Sequence, residues 1–236
     1  MKLLLKISLF IFLILFVISC TKDNTTNPQS TESMEDYMPL TIGSWWKYEQ
    51  YYIDEYGTKY NEITYTLTII GSSIVDGKQA FNIKYSTSNP DSTNSTCYWA
   101  IDNSKLMYYA PEMIERYGWL IEADLNSEKW ILKDTIELFD SAGIKLESYE
   151  KWTIKKGSQS EFKIKDKTIP AIGFISEQLI AHNHFDDFNE KDTILTISTR
   201  WYGKGVGMIK RVGKLTWIPM QTQLNCEMVL IDYEIK

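Results

Sequence analysis

Short stretches in which apolar and polar residues alternate dominate the chain from Tyr37 onward. Residues 62–70 have apolar side chains at every second position, which predicts a strand with one buried and one solvated face. Further stretches rich in Tyr, Trp, Thr, Ile and Val follow, separated by glycine, asparagine and aspartate turns. This pattern is typical of an all-β domain.

Three turn sequences predict β-hairpins. Asp76-Gly77 suits a two-residue turn, in which the central residues adopt positive φ. Two further hairpins are predicted at Asn103-Ser104 and at Ser141-Ala142-Gly143. Because strands that follow each other in sequence usually pair, we expect a mainly β fold. Its single antiparallel sheet should be strongly curved, as a half-barrel or open barrel, with at most one or two short helices.

Two segments depart from simple alternation. In residues 111–125 the apolar positions fall at helical spacing, which predicts a short helix, with a hairpin turned at Tyr117-Gly118 as the alternative. In residues 226–235 large residues occupy both alternating sets of positions. This second pattern predicts a strand that is buried on both sides.

The first twenty residues have a different character. Lys2 and Lys6 precede an apolar run at 7–18 that ends on Ser19-Cys20, which is the tripartite pattern of a secretory signal peptide. The run is shorter than the roughly 18–20 residues that span a bilayer. A small residue directly before a cysteine resembles the lipobox of bacterial lipoproteins. That resemblance implies acylation of Cys20, with palmitate-type chains, and removal of residues 1–19. An ordinary secretory signal peptide is the alternative.

Residues 20–36 are almost entirely polar, with Met34 as the one large apolar side chain after Cys20. Such a segment cannot bury enough surface to order itself, which predicts a flexible tether. The expected organisation is a signal peptide at 1–19, a lipidated cysteine and tether at 20–36, and a single β-rich domain at 37–236. In enterobacterial lipoproteins an aspartate directly after the lipidated cysteine retains the protein at the inner membrane. Thr21 occupies that position here, so by analogy we expect the outer membrane. Which side of that membrane the protein faces is left open.

Both ends of the predicted domain resemble uncharacterised Bacteroidota lipoproteins. The opening reads Tyr-x-Pro-Leu-x-x-Gly-x-x-Trp over residues 37–46, and Gly203-x-Gly205-x-Gly207 stands near the C-terminus. The resemblance implies a curved antiparallel sheet, comparable to the open half-barrels of lipoprotein carriers, and brings no reaction or catalytic residues with it. Gly43 permits a turn before Trp45, whose ring is expected to close one end of the core.

Charge and cysteine content restrict the classes of partner. The formal net charge is −6 at pH 7, which disfavours nucleic acid as a partner. Apart from Cys20 the chain has only Cys97 and Cys226. In an oxidising compartment these two can form one disulfide, and two separate buried thiols are the alternative.

Candidate catalytic and metal-binding residues are sparse. His182 and His184 would share one face of a strand and could bind a metal with Asp186 and Asp187, but a polar surface loop is the simpler interpretation. The residues after Gly207 look extended, so the glycine motif predicts a hairpin and not a phosphate-binding loop. A group of carboxylates is interpreted as a solvated acidic surface: Glu115, Glu122, Asp124, Glu128, Asp134, Glu137 and Asp140. We therefore predict no catalytic residues, no metal and no cofactor.

Three functional hypotheses follow. The first is a non-catalytic binding or envelope-assembly module in the bacterial cell envelope, held to the membrane through Cys20, with a small apolar ligand, glycan or envelope protein as partner. The second is a carbohydrate-contacting accessory protein, which predicts a planar row of exposed Trp or Tyr. The third is a hydrolase that uses a carboxylate pair or the His182 and His184 site.

Overall fold

The structure is a computed structural model that describes residues 32–88, 95–109, 118–141, 144–184, 192–218 and 222–236. Within these ranges it contains one short helix and twelve strands. Their bounds are α1 Met34–Tyr37, β1 Trp45–Ile53, β2 Lys59–Val75, β3 Lys78–Thr87, β4 Thr96–Asp102, β5 Lys105–Tyr109, β6 Leu120–Asp124, β7 Lys129–Ser141, β8 Ile144–Ile164, β9 Lys167–His184, β10 Asp192–Gly203, β11 Gly207–Trp217 and β12 Thr222–Glu234.

All twelve strands belong to one antiparallel sheet that is nearly closed into a barrel. Its order is β6-β5-β4-β3-β2-β1-β12-β11-β10-β9-β8-β7. Strands β1 and β12 pair at the centre, so the two halves of the chain each wind outward from them. The two edge strands, β6 and β7, follow each other directly in sequence. The predicted single, strongly curved antiparallel sheet is confirmed.

Side chains bridge the seam between the two edges. The indole N–H of Trp130 on β7 donates a hydrogen bond to the carbonyl oxygen of Ile121 on β6, with N and O 2.9 Å apart. The ammonium of Lys156 on β8 donates to the carbonyl oxygen of Leu125, at 2.8 Å. These contacts satisfy backbone acceptors that would otherwise lack a strand partner.

The predicted hairpins are found in the sheet. Asp76 and Gly77 have φ of 48° and 73° and connect β2 to β3. Asn103, with φ of 53°, lies in the turn between β4 and β5. Strands β7 and β8 pair as expected, although residues 142–143 of their turn lie outside the described residues. The glycine motif forms the hairpin of β10 and β11, in which Gly203 pairs with Gly207.

Two element predictions are wrong. Residues 120–124 form strand β6 and not a helix, while residues 111–117 lie outside the described part of the chain. Leu120 is buried and Ile121 is half-buried, because neighbouring residues of a strand point to opposite faces. Apolar residues on both faces of β6 therefore produce a spacing that resembles the spacing of a helix. Strand β12 is not buried on both sides, because Leu230 is buried whereas Ile231 is 44% exposed.

Ordered structure begins earlier than Tyr37, inside the segment predicted to be a tether. Ser33 and Asp36 form a capping box around α1. Met34 is fully buried, and its backbone N–H donates to the carbonyl oxygen of Asn103. The backbone N–H of Gly205 donates to the carbonyl oxygen of Asp36. Residues 32–44 thus connect the β4–β5 turn to the β10–β11 turn and cover one end of the sheet.

Trp46, and not Trp45, fills that end of the core. Trp46 is fully buried, and its indole N–H donates to the carbonyl oxygen of Val206. Trp45 is only half-buried and donates to the carboxylate of Glu234. The residue that follows the Gly43 turn by three positions points inward because strand β1 alternates between the two sides of the sheet. Burying a tryptophan ring contributes a few kcal/mol to stability.

Candidate functional site

A cavity of about 350 Å³ lies inside the curved sheet, next to the buried core. This volume falls in the range of small-molecule binding sites. Its wall combines aromatic, aliphatic and charged side chains from ten of the twelve strands and is formed by Tyr48, Gln50, Tyr65, Leu67, Tyr85, Trp99, Tyr108, Leu120, Glu122, Trp152, Arg200, Tyr202, Met208, Arg211 and Met228.

Three charged residues meet in this cavity because strand alternation turns them inward. On β10 the side chains of Arg200 and Tyr202 are two positions apart and therefore share a face. Arg211 on β11 lies directly opposite Arg200 in the antiparallel register. Glu122 on edge strand β6 reaches the same space from the other side of the seam.

Glu122 neutralises one of the two guanidinium groups. Its Oε1 is 3.2 Å from Nη1 of Arg200, and its Oε2 accepts a hydrogen bond from the Tyr202 hydroxyl at 3.3 Å. Burial is the largest single effect and acts to lower the pKa of Arg200, but Coulomb attraction to Glu122 and to Tyr202, Tyr85 and Tyr108 together raises it. Burial, followed by the nearby Glu122 charge, raises the pKa of Tyr202 far above its usual range. Both partners of Glu122 therefore stay protonated at any physiological pH.

Arg211 has no such partner. Its side chain reaches solvent within the cavity, and no carboxylate of the described residues forms an ion pair with it. Repulsion from Arg200, followed by burial, lowers the pKa of Arg211. Like charges directly opposite each other on paired strands are destabilising. With one carboxylate and two guanidinium groups among the lining residues, the wall of the cavity carries a net positive charge.

A second polar group lies on the same inner face, further along β7, β8 and β9. Lys133 and Glu150 form an ion pair at 2.9 Å with side chains that are each 8% exposed. The side-chain amide of Gln178 donates to Glu150 at 2.8 Å, and the indole of Trp152 donates to Ser176 at 2.7 Å. Ion pairs buried this deeply need such additional hydrogen bonds to offset their desolvation.

The histidines predicted as weak metal ligands lie on strand β9. In the sheet register His182 is opposite Ser148 on β8 and Asp192 on β10, and His184 is opposite Leu146. Their side chains, and Asp186 and Asp187 altogether, lie outside the described residues. Within the part of the chain that the structure describes, no group of three or more His, Cys, Asp or Glu residues could hold a metal ion.

Cys97 and Cys226 are not joined by a disulfide in this structure. Cys97 is buried on β4, and Cys226 is half-buried on β12. Strands β3, β2 and β1 separate them in the sheet, which explains why the two sulfurs do not meet.

Two of the carboxylates assigned to a solvated surface lie inside the fold. Glu122 lines the cavity, and Asp124 is 4% exposed. Asp124 accepts hydrogen bonds from the hydroxyls of Ser104 and Ser127, at 2.8 Å and 2.7 Å. Burial opposes ionisation of Asp124, but these bonds and one from the backbone N–H of Asn126 lower its pKa. Asp124 is therefore a structural residue that fastens the end of β6.

Aromatic exposure bears on the carbohydrate hypothesis. All eight tryptophans lie in the described residues, and each is buried or half-buried. The exposed tyrosines of the described part are Tyr56 and Tyr60, both near the β1–β2 turn. No planar row of exposed tryptophans is present in this part of the chain.

Sequence reasoning missed Arg200 and Arg211, because alternation on β10 favours the other face. Leu195, Ile197 and Trp201 form the more apolar set, whereas Ser198 and Arg200 belong to the polar set. The structure places the polar set inside: Ser198 is 3% exposed and Ile197 36%. The one feature of the sequence that could have indicated this site was Arg200, an arginine that lies within a strand directly before Trp201 and Tyr202.

No helix in the described residues combines the length and apolar character needed to cross a membrane. Neither a family model nor a curated protein matches this chain. Similar solved structures include a "putative lipoprotein" of Parabacteroides distasonis, at 13% identity and a TM-score of 0.45, covering 84% of this chain and 98% of that one. Another is a "putative exported protein with YmcC-like fold" of Bacteroides fragilis, at 8% identity and a TM-score of 0.45, covering 84% of this chain and 99% of that one.

Proposed function

We propose that this protein is a lipid-anchored component of the bacterial cell envelope that holds a small ligand inside its curved sheet and does not transform it. The observation that carries the proposal is the solvent-accessible cavity of about 350 Å³ with a largely aromatic and aliphatic wall. Apolar pockets with a few convergent polar groups are the usual form of small-molecule sites. Acylated Cys20 would place this cavity at the outer membrane.

Two features favour binding over the other hypotheses. A carboxylate pair for hydrolysis is not available among the lining residues, since Glu122 is the one acid there and is already bonded to Arg200 and Tyr202. A glycan-binding surface would need exposed aromatic rings in a row, whereas each tryptophan is buried or half-buried. The interior is thus the better candidate for contact with a ligand.

The proposal is tested by measuring how a neutral apolar dye, N-phenyl-1-naphthylamine, binds to the full chain in phosphatidylcholine nanodiscs. Binding is compared between the wild type and a variant whose cavity is filled by a larger side chain. Met228 lines the cavity, and Met228→Trp would occupy part of its volume. Ile231 lies on the same strand but outside the cavity, so Ile231→Trp is the matched control. We expect dye fluorescence above that of empty nanodiscs for wild type and Ile231→Trp, and its loss in Met228→Trp. Equal fluorescence of both variants would overturn the proposal.

A further inference from the structure

The two arginines of the cavity carry two positive charges, and the single carboxylate among the lining residues neutralises one of them. Arg200 and Arg211 face each other across the β10–β11 pair, and antiparallel neighbours in direct register have Cβ atoms about 4.5–5.5 Å apart. Glu122 forms an ion pair with Arg200 only. The guanidinium of Arg211 therefore stands in the cavity with its hydrogen-bond donors directed at no carboxylate of the described chain.

An anion at this position would offset both unfavourable features. A carboxylate or phosphate can accept two parallel hydrogen bonds from a guanidinium group, and such charge-assisted pairs are stronger than neutral ones. The same anion would reduce the repulsion between Arg211 and Arg200, which is the main cause of the lowered pKa of Arg211. A wall with a net positive charge attracts anions before contact is made.

The rest of the wall selects for an apolar body. Leu67, Leu120, Met208 and Met228 contribute aliphatic surface to the same cavity, and the rings of Trp99 and Tyr65 add aromatic surface. A small free anion such as sulfate would leave this surface in contact with water. Burial of an apolar chain there removes apolar surface from water and therefore favours binding.

From this geometry we infer that the ligand is a small amphiphile with one anionic head group, which pairs with Arg211, and an apolar body, which fills the remainder of the cavity. This inference rests on the proposed function, because it names the class of ligand for the same cavity. Glu122 keeps Arg200 neutralised, so that one guanidinium and not two is available to the head group.

Displacement of N-phenyl-1-naphthylamine from the full chain in nanodiscs tests this inference. Octanoate and octyl phosphate present the anionic group as a carboxylate or a phosphate, and octanol is the neutral control. We expect both anions to displace the dye at lower concentration than octanol does. The more effective of the two identifies the preferred head group.

Substitution of Arg211 separates charge recognition from simple filling of the cavity. Arg211→Met should weaken octanoate binding by roughly 10- to 100-fold and leave octanol unchanged. Lys214→Met removes an equal charge from an exposed position on the same strand and should change neither. Arg211→Lys, which keeps the charge but loses the bidentate geometry, should be intermediate.

The failures of the two ideas are distinguishable. Octanol displacing the dye as well as octanoate does, or Arg211→Met leaving octanoate binding unchanged, would overturn the inference about charge while the cavity still binds its dye. Displacement by none of the three amphiphiles would also overturn it. Absence of dye binding to the wild-type chain would overturn the proposed function and the inference together.

Discussion

At the residue scale, the glycine-rich hairpin near the C-terminus shows a packing requirement and not a phosphate site. Gly207 has φ of 100°, and a Cβ at this position would lie 2.7 Å from Nε1 of Trp46. Gly205 has φ of 72°, and a Cβ built on Gly205 would have no neighbouring atom within 4 Å. At both positions the left-handed backbone conformation favours glycine. Of these two positions, only 207 also lacks space for a side chain, because its backbone lies against Trp46.

Gly207→Ala should therefore destabilise the protein by about 2–4 kcal/mol, which combines backbone strain with overpacking against Trp46. Gly205→Ala should cost only about 1–2 kcal/mol, because strain alone applies there. Urea denaturation followed by tryptophan fluorescence measures both changes. Equal losses in the two variants would contradict the role given to the Trp46 contact.

Residues inside the cavity were the hardest to predict individually. Hydrophobic alternation assumes that the interior of a sheet is apolar, which is correct for Leu67 and Ile69 on β2. On β10 the interior face carries Ser198 and Arg200 instead. Because the curved sheet encloses a cavity with charged residues in its wall as well as an apolar core, the more apolar face of a strand can point outward.

At the scale of elements, the seam between β6 and β7 is the place where the sheet lacks backbone pairing between neighbouring strands. Strand β6 has five residues, and it does not pair with β7, which follows it in the chain. Hydrogen bonds from Trp130 and Lys156 hold the edges together. Edge strands with unpaired backbone groups are otherwise open to association with other chains.

Lys156→Met tests this description of the seam. The variant should be destabilised by about 1.5–3 kcal/mol, because it removes a charged donor from a backbone carbonyl oxygen. Lys155→Met, at the adjacent residue, removes only an exposed pair with Glu177 and should cost about 0–1 kcal/mol. Hydrogen exchange of the β6 amides should be faster in Lys156→Met alone, and equal exchange in both variants would count against the bridging role.

The hairpins were predictable, whereas the identity of β6 and the start of the fold were not. Asp76-Gly77 and Asn103-Ser104 specify their turns locally, because they tolerate positive φ. Helix α1 depends on hydrogen bonds to Asn103 and Gly205, which are distant in sequence. A polar segment with a single buried methionine looks like a tether when those distant partners are not considered.

At the scale of the whole molecule, the proposed location depends on Cys20. Cys20→Ala should move the protein from the membrane fraction to the soluble fraction, because stable attachment of lipoproteins requires more than one acyl chain on this residue. Cys226→Ala, which changes a thiol within the folded domain, should leave the protein in the membrane fraction. Fractionation of cells followed by immunoblotting measures this, and retention of Cys20→Ala would contradict lipid anchoring.

The sequence by itself determined the all-β character, the antiparallel hairpins and the absence of a second long apolar segment, since each depends on spacing and turn residues within a short window. Only the tertiary structure decided which face of each strand points inward, how residues 32–44 cover one end, and that Arg211 and Glu122 share a cavity. The physical reason is that a period of two defines two faces equally well. The choice between them depends on closure of the sheet, which brings together residues far apart in the chain.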